Sequence, residues 1–247
     1  MLARAAISLR LRALDLGDRA LGRADRLVPP RRLRGFTGDT DFLATGTELL
    51  GLMREHGGLR PESRVLDVGC GIGRVARTLV DVLDPTVGGA YVGFDPVAEA
   101  IAWCAERYPQ PFRFVHADLR NDLYNPGGAV AATEYRFPVA DSWATLVVAT
   151  SVFTHLDRAE SEHYLAEVAR ALARGGVALL TFFLLDDDSR AALAAGRARQ
   201  AFGGAAAVAH DRTAILDAIG QAEVHEGGWR GGPGLSYQDL VVVRAPG

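Results

Sequence analysis

Lysine is missing altogether from this sequence of 247 residues, and all 27 basic residues are arginines. A Schiff base or a pyridoxal phosphate linkage needs a lysine amine, and so does the phosphate-binding loop with its lysine. The missing lysine therefore excludes these chemistries. Cysteine is nearly as scarce, because only Cys70 and Cys104 occur. Two cysteines are too few for a disulfide framework and are compatible with a reducing compartment.

Long apolar runs and a net positive charge are also lacking. No apolar stretch reaches the ~20 residues that are needed to cross a bilayer. The net charge of −3 provides no broad basic surface for nucleic acid. We therefore expect a cytoplasmic protein that binds neither a membrane nor nucleic acid. Hydrophobic residues make up 49% of the chain, which is enough for a sizeable core.

The N-terminal stretch MLARAAISLRLRALDLGDRALGRADRLVPPRRLRG combines arginines with apolar residues at helical spacing. Asp15, Asp18 and Asp25 interrupt the acid-poor pattern of a transit peptide, and the continuous apolar core of a secretory signal is absent. We predict an uncleaved amphipathic helix up to about Arg34, which packs on the main domain or on a second copy of the chain. A helix lying on a membrane surface is the alternative.

From Arg64 onward, short apolar runs alternate with helical patterns, which is typical of a parallel sheet with crossover helices. The helix in PVAEAIAWCAERY has Pro96 in its first turn, and a later helix is expected to close at Gly175 and Gly176. The predicted strands are RVLDVG, AYVGFD, FRFVHAD, ATLVVATSV, VALLTFFLL, EVHEGGW and YQDLVVVRA. VALLTFFLL is interpreted as one strand that is buried on both faces.

The most informative motif is VLDVGCGIGR, at positions 65–74. Glycines at a strand-to-helix turn permit positive φ and let a ligand approach the backbone closely. A dinucleotide-binding turn has the pattern G-x-G-x-x-G. Here the third glycine, Gly73, comes one residue early, and Arg74 occupies the dinucleotide position. Asp67 precedes the glycines, and the second predicted strand ends in Asp95.

In this order, the motifs resemble those of class I S-adenosylmethionine-dependent methyltransferases over residues 64–185. The resemblance implies an α/β, Rossmann-like fold with a seven-stranded, mostly parallel sheet and helices on both faces. Residues 1–58 would form a helical extension and residues 59–247 the methyltransferase domain.

The same resemblance implies that S-adenosylmethionine is the cofactor. Asp67 would lie near its methionine moiety, Asp95 would accept its ribose hydroxyls, and Asp118 would meet its adenine amino group. The alternative for Asp67 and Asp95 is capping of the helices that follow. The other cofactor-binding residues implied by the resemblance are Gly69, Cys70, Gly71, Gly73, Arg74, Pro96, Ala117, Leu119, Thr150 and Ser151.

The acceptor is indicated by weaker signals, because this fold serves many acceptors. The stretches GDTDFLATGTELLGLM, LYNPGG, YRFP, SVFTHL and FFLLDDDS resemble bacterial small-molecule O-methyltransferases, including those that act on sugars. We expect methylation of an oxygen on a small hydroxylated metabolite, with His155 as the base and Asp186 next in line. The alternatives are a nucleic-acid or N-directed methyltransferase, a catalytically idle cofactor-binding module and a nicotinamide-dependent oxidoreductase.

Three consecutive acids, Asp186, Asp187 and Asp188, raise the question of a metal site. They cannot all face one ion, and they precede a helix that Ser189 could cap. No metal is therefore predicted. A long polar connection, residues 119–142, is expected to be functional. Its tyrosines would line the acceptor mouth or simply pack the connection.

Overall fold

A computed structural model of the chain describes residues 11, 13–16, 25–34, 41–197, 208–230, 234 and 237–247. Before the sheet, the described residues include the helices α1 (Arg31–Arg34) and α2 (Phe42–Glu55). The elements that follow are β1 (Arg64–Val68), α3 (Arg74–Leu79), β2 (Ala90–Asp95), α4 (Ala98–Arg107), β3 (Phe112–His116), β4 (Ala144–Ala149), α5 (Arg158–Ala171), β5 (Leu172–Phe182), β6 (Leu184–Leu185), α6 (Asp187–Ala194), β7 (His210–Asp211), α7 (Arg212–Ile219), β8 (Ala222–His225) and β9 (Asp239–Arg244).

Seven of these strands form one sheet in the order β3-β2-β1-β4-β5-β9-β8. The first five are parallel, while β9 runs antiparallel to both β5 and β8. The strand order reverses at β1, which pairs with β2 on one side and with β4 on the other. In an open α/β sheet, this switch point leaves a crevice at the carboxyl ends of the strands. The predicted fold class is confirmed.

The strands β1, β2 and β4 are buried on both faces because alternate side chains enter two apolar layers. On β1, Val65 belongs to a layer with α2, α3 and α4, whereas Leu66 belongs to a layer with α5 and α7. Both side chains are fully buried. Helices therefore cover both faces of the sheet, and the carboxyl edge between the two layers remains for a site.

One predicted strand was wrong in its extent. VALLTFFLL was expected to be a single strand, but β5 begins earlier, at Leu172, and ends at Phe182. After Phe183, the residues Leu184 and Leu185 pair instead with β7 in a separate two-stranded sheet. The chain leaves the main sheet where the Leu184 amide donates to the Asp239 carboxylate at 2.8 Å.

Two helix ends also differ from the predictions. Gly175 and Gly176 lie within β5, and α5 already ends at Ala171, where pairing between β4 and β5 shifts register. Pro96 precedes α4 rather than lying in its first turn, because the Asp95 carboxylate accepts the amide of the N-cap residue Val97 at 2.9 Å.

The predicted N-terminal helix lies largely outside the described residues, and it does not run unbroken to Arg34, because residues 25–30 form a turn that ends in Pro29 and Pro30. Residues 13–16 are helical, and Asp15 forms an ion pair with Arg31 at 2.9 Å. Leu27 and Leu33 are buried in the same apolar layer as α2, α3 and α4. The described part of this segment therefore packs on the domain, while the boundary at residue 58 stays a prediction. In the described part of the chain, no helix is both long and apolar enough to cross a membrane.

Candidate active site

The turn between β1 and α3 holds three glycines in the left-handed region, with φ of 69° at Gly69, 51° at Gly71 and 80° at Gly73. A Cβ on Gly69 would lie 2.6 Å from Cγ2 of Val152, and one on Gly73 would lie 3.0 Å from the hydroxyl oxygen of Tyr108. Packing by the protein itself, together with the backbone conformation, therefore excludes side chains at these two positions.

Asp95 ties the glycine turn to the start of α4. Its Oδ2 accepts the amide of Gly71 and its Oδ1 accepts the amide of Val97, both at 2.9 Å. The N-cap of α4 is Val97 and no side chain caps this helix, so Asp95 does not act as the helix cap that the alternative proposed. An ionised carboxylate has about four lone-pair directions, so each oxygen can accept a further donor such as a ribose hydroxyl. Burial raises the pKa of Asp95, although its backbone hydrogen bonds and the nearby His116 oppose this.

Asp67 lies beneath the same turn and does not cap α3. Its Oδ2 accepts a hydrogen bond of 2.6 Å from the Tyr91 hydroxyl. The pKa of Asp67 is raised to about 7. Burial is the main cause, the hydrogen bond from Tyr91 opposes it, and the charge of Asp95 adds to it. Within the described residues, no arginine forms an ion pair with Asp67 or Asp95.

The carboxyl end of β3 brings Asp118 to the same edge of the sheet. Asp118 is exposed, and its Oδ1 accepts a hydrogen bond of 3.1 Å from the Asn125 side chain. Its neighbours Ala117 and Leu119 are buried, and the Ala117 amide donates to the Asp95 carbonyl at 3.1 Å. An exposed carboxylate beside two buried apolar residues suits the predicted adenine contact, which stays a prediction.

His155 comes in the short 3-10 turn Phe153–His155, just after β4 and the predicted cofactor residues Thr150 and Ser151. The hydroxyl oxygen of Tyr124 is 3.4 Å from His155 Nε2, and the two rings meet edge to face at 5.3 Å. Burial raises the pKa of Tyr124, and the charge of Asp95 adds to the effect, so the phenol stays neutral. The imidazole and this phenol therefore form one half-buried polar pair.

Asp186 is held in a structural role, which weighs against its prediction as a second base. It is the N-cap of α6 in a capping box with Ser189. It also forms ion pairs with Arg230 at 3.0 Å and with Arg212 at 3.2 Å. Burial acts to raise the pKa of Asp186, but the bonds from Ser189 and Arg230 lower it far below its usual range. A carboxylate so stabilised is a poor proton acceptor.

The acids of the DDD run therefore cap and flank a helix start rather than converge on one point. Across residues 41–197 and the other described segments, no group of three or more His, Cys, Asp or Glu side chains could hold a metal ion.

Comparison with known proteins identifies the domain. Residues 65–176 match the family model described as a methyltransferase domain. Residues 65–176 therefore form a methyltransferase domain. The predictions of an enzyme of this class and of S-adenosylmethionine as its cofactor are thereby confirmed.

Three solved structures share the methyltransferase fold. The PH0226 protein from Pyrococcus horikoshii OT3 is 17% identical, and the match covers 89% of this chain and 100% of that one with a TM-score of 0.58. A TehB-like SAM-dependent methyltransferase from Corynebacterium glutamicum ATCC 13032 Kitasato is 19% identical, covering 88% and 95% with a TM-score of 0.52. The [4+2]-cyclase SpnF is 16% identical, covering 85% and 84% with a TM-score of 0.53. Likeness at these identities concerns the fold alone.

The site fits the cofactor of this methyltransferase. S-adenosylmethionine carries two cationic groups, a sulfonium and an ammonium, and burying a cation requires acidic or strongly polar partners. Asp67 and Asp95 are buried acids with no arginine paired to them among the described residues. Asp95 and Asp118 would hold the ribose and the adenine, and Asp67 would face the cationic end.

Sequence reasoning missed three side chains of this site. Tyr91 holds Asp67, while Thr181 and Gln238 hold Ser151. Thr181 had a detectable signal, because it is the one hydroxyl residue in the apolar run VALLTFFLL. Tyr91 and Gln238 had none, since their partners lie 24 and 87 residues away in sequence.

Proposed function

We propose that this methyltransferase acts on an oxygen of a small hydroxylated acceptor, with His155 as the base. The observation that carries the proposal is the pair of His155 and Tyr124, 3.4 Å apart, in the loops after β4 and β3. The carboxyl ends of these strands share one edge with the end of β2, where Asp95 lies. A proton acceptor thus stands close to the residues proposed to hold the cofactor.

The chemistry needs such a group. When bound, the cofactor supplies an electrophilic methyl group on a cationic sulfur. An alcohol is a poor nucleophile until its proton leaves during the attack, and histidine titrates nearest to neutral pH. His155 would take that proton, and the neutral Tyr124 hydroxyl beside Nε2 would orient the ring. The rest of the rate would come from alignment of the acceptor oxygen with the methyl group.

The polar groups around this pair favour a hydroxyl-rich acceptor, such as a sugar or a glycosylated product. Asn125 follows Tyr124 directly on the β3 side, and its amide nitrogen donates to Asp118 at 3.1 Å. An amide group can donate to one hydroxyl and accept from another. The net charge of −3 disfavours a polyanionic acceptor such as RNA.

The test is a screen for S-adenosylhomocysteine formation. The purified chain is incubated with S-adenosylmethionine and with separate panels of nucleotide sugars, glycosides, phenols, primary amines and RNA. We expect turnover with a hydroxylated panel, and a product whose added methyl group is on oxygen by nuclear magnetic resonance. Turnover with amines or RNA alone, or tight cofactor binding without turnover on any panel, would overturn the proposal.

A substitution sharpens the role of the base. His155→Gln should lower turnover by about 10²–10⁴-fold and leave S-adenosylhomocysteine affinity unchanged, because the proton acceptor is lost while the cofactor contacts remain. His163→Gln is the matched control, since His163 lies on α5 and is bonded to the Tyr135 carbonyl at 2.9 Å. A His155→Gln enzyme with normal turnover across neutral pH would move the base to another residue.

A further inference from the structure

Two serines stand at opposite ends of β4 in the left-handed region. Ser142, before the strand, has φ of 56°, and Ser151, after it, has φ of 58°. They are the only non-glycine residues at positive φ in the described part of the chain. A serine in this region is strained and persists only where the surrounding structure holds it. The surroundings of these two serines differ.

A ring of three hydrogen bonds, here called the polar ring, holds Ser151. The Ser151 amide donates to Thr181 Oγ1 at 2.8 Å, and the Thr181 hydroxyl donates to Gln238 Oε1 at 2.6 Å. Gln238 Nε2 then donates back to Ser151 Oγ at 3.0 Å. Thr181 is buried near the carboxyl end of β5, so the ring is anchored on an interior strand of the sheet. Ser142 has only a backbone bond, from its amide to the Arg170 carbonyl at 2.9 Å, among the bonds described for it.

The conformation of Ser151 sets the path of the residues that follow it. The Ser151 carbonyl accepts the Thr154 hydroxyl at 3.1 Å, and the His155 amide donates to the Val152 carbonyl at 2.9 Å. The Val152 side chain fills the space beside Gly69, where a Cβ would be 2.6 Å away. A change of φ at Ser151 would therefore move Val152 off the glycine turn and rotate the 3-10 turn that carries His155.

We propose that Thr181 and Gln238 are positioning residues of this methyltransferase. Through the polar ring they keep Ser151 left-handed, and this seats Val152 against the glycine turn and aims the turn of His155. The proposal rests on the methyltransferase domain and its cofactor, and not on the chemistry of the acceptor. Cofactor affinity can therefore test it even if the proposed oxygen acceptor proves wrong.

The experiment is a double-mutant cycle on S-adenosylhomocysteine binding, measured by calorimetry on the full chain. Thr181→Val keeps the shape of the side chain and removes the hydroxyl. We expect it to weaken binding about tenfold, the order of one hydrogen bond. Thr181→Ser should bind within about twofold of the unmodified chain. In a Ser151→Gly background, Thr181→Val should cost less than about twofold, because glycine adopts positive φ without a restraint.

Ser142→Gly is the matched control. It relieves the same backbone strain at the other end of β4, so it should raise the melting temperature and leave the affinity unchanged. If Thr181→Val fails to fold, Gln238→Met replaces it in the same cycle with an expected loss of about threefold, because the bond from the Ser151 amide to Thr181 remains. Unchanged affinity in the folded single variants, or an equal loss in both backgrounds, would overturn the proposal.

Discussion

Two pairs of acids differ in how the protein compensates their charge: Asp67 and Asp95 at the glycine turn, and Asp186 and Asp239 at the starts of α6 and β9. Asp67 and Asp95 are buried without an arginine in the described residues, and their hydrogen-bond partners are a phenol and backbone amides. Asp239 is also fully buried, but Arg230 binds it at 3.0 Å, and Arg230 and Arg212 both bind Asp186. A buried charge needs compensation. The second pair receives it from arginines of the protein, whereas in the first pair Asp67 is suited to a cationic ligand and Asp95 to hydroxyl donors.

The pKa values follow the same division. Burial raises the pKa of Asp67 to about 7, whereas Arg230 and Ser189 lower the pKa of Asp186 despite its burial. Asp67 and Asp186 therefore make the stability of the protein depend on pH in opposite directions. Each substitution below tests one side of the comparison.

The largest effect is expected at Asp239. Its carboxylate accepts hydrogen bonds from the Gly227 amide, the Trp229 indole and Arg230, at 2.8, 3.0 and 3.0 Å. Asp239→Asn leaves the Arg230 charge partly unpaired, so we expect a loss of about 3–5 kcal/mol in the free energy of unfolding. Urea denaturation measures it. The exposed Asp188→Asn is the control, and a loss below about 1 kcal/mol at Asp239 would show that its ion pair is dispensable.

Asp67→Asn should stabilise the chain in one pH range only. An unfolded Asp titrates near 3.8 and the folded Asp67 near 7. The unfolded chain therefore loses this proton first, and the unmodified protein loses stability as the pH rises from about 4 to 7. The asparagine variant avoids this loss. Its melting temperature should therefore equal that of the unmodified protein at pH 4 and exceed it by about 5 °C at pH 8. It should also bind S-adenosylmethionine less tightly.

The thermal scans of Asp67→Asn are run without cofactor, since ligand binding would add stability to the unmodified chain alone. A melting-temperature difference that is the same at pH 4 and pH 8 would mean that Asp67 does not titrate in this range.

Asp186→Asn should give the smallest effect and the opposite sign. The folded pKa of Asp186 is depressed, so its carboxylate stabilises the chain above the ordinary pKa of an Asp, and this stability is lost as the pH falls. We expect the variant to lose about 1 kcal/mol at pH 7. The difference should shrink toward pH 3 in urea titrations. A stability difference between the variant and the unmodified chain that grows toward acid pH would contradict the depressed pKa of Asp186.

The same contrast explains what the sequence could predict. AYVGFD was predicted as a strand and matches β2 to the residue, because a short apolar run ends at an acid that binds the next turn. The glycines and acids of the first motif follow one another locally, so their grouping could be predicted. Asp186 could not be interpreted in this way, since Arg212 and Arg230 lie 26 and 44 residues away. The predicted end of β5 was wrong for a similar reason, because the Leu184 amide donates to Asp239, which lies 55 residues away in sequence.

The contact of Val152 with Gly69 has a consequence for protein engineering. The methyl group of Val152 occupies the space that any side chain at position 69 would need. An acceptor loop grafted from another enzyme onto this scaffold must therefore have a side chain at position 152 that fills the space beside Gly69 and is no larger than valine. A larger residue there would push the graft away from the glycine turn, and a smaller one would leave a void beneath it. Libraries that vary the acceptor loop should keep position 152 fixed and diversify the positions around it.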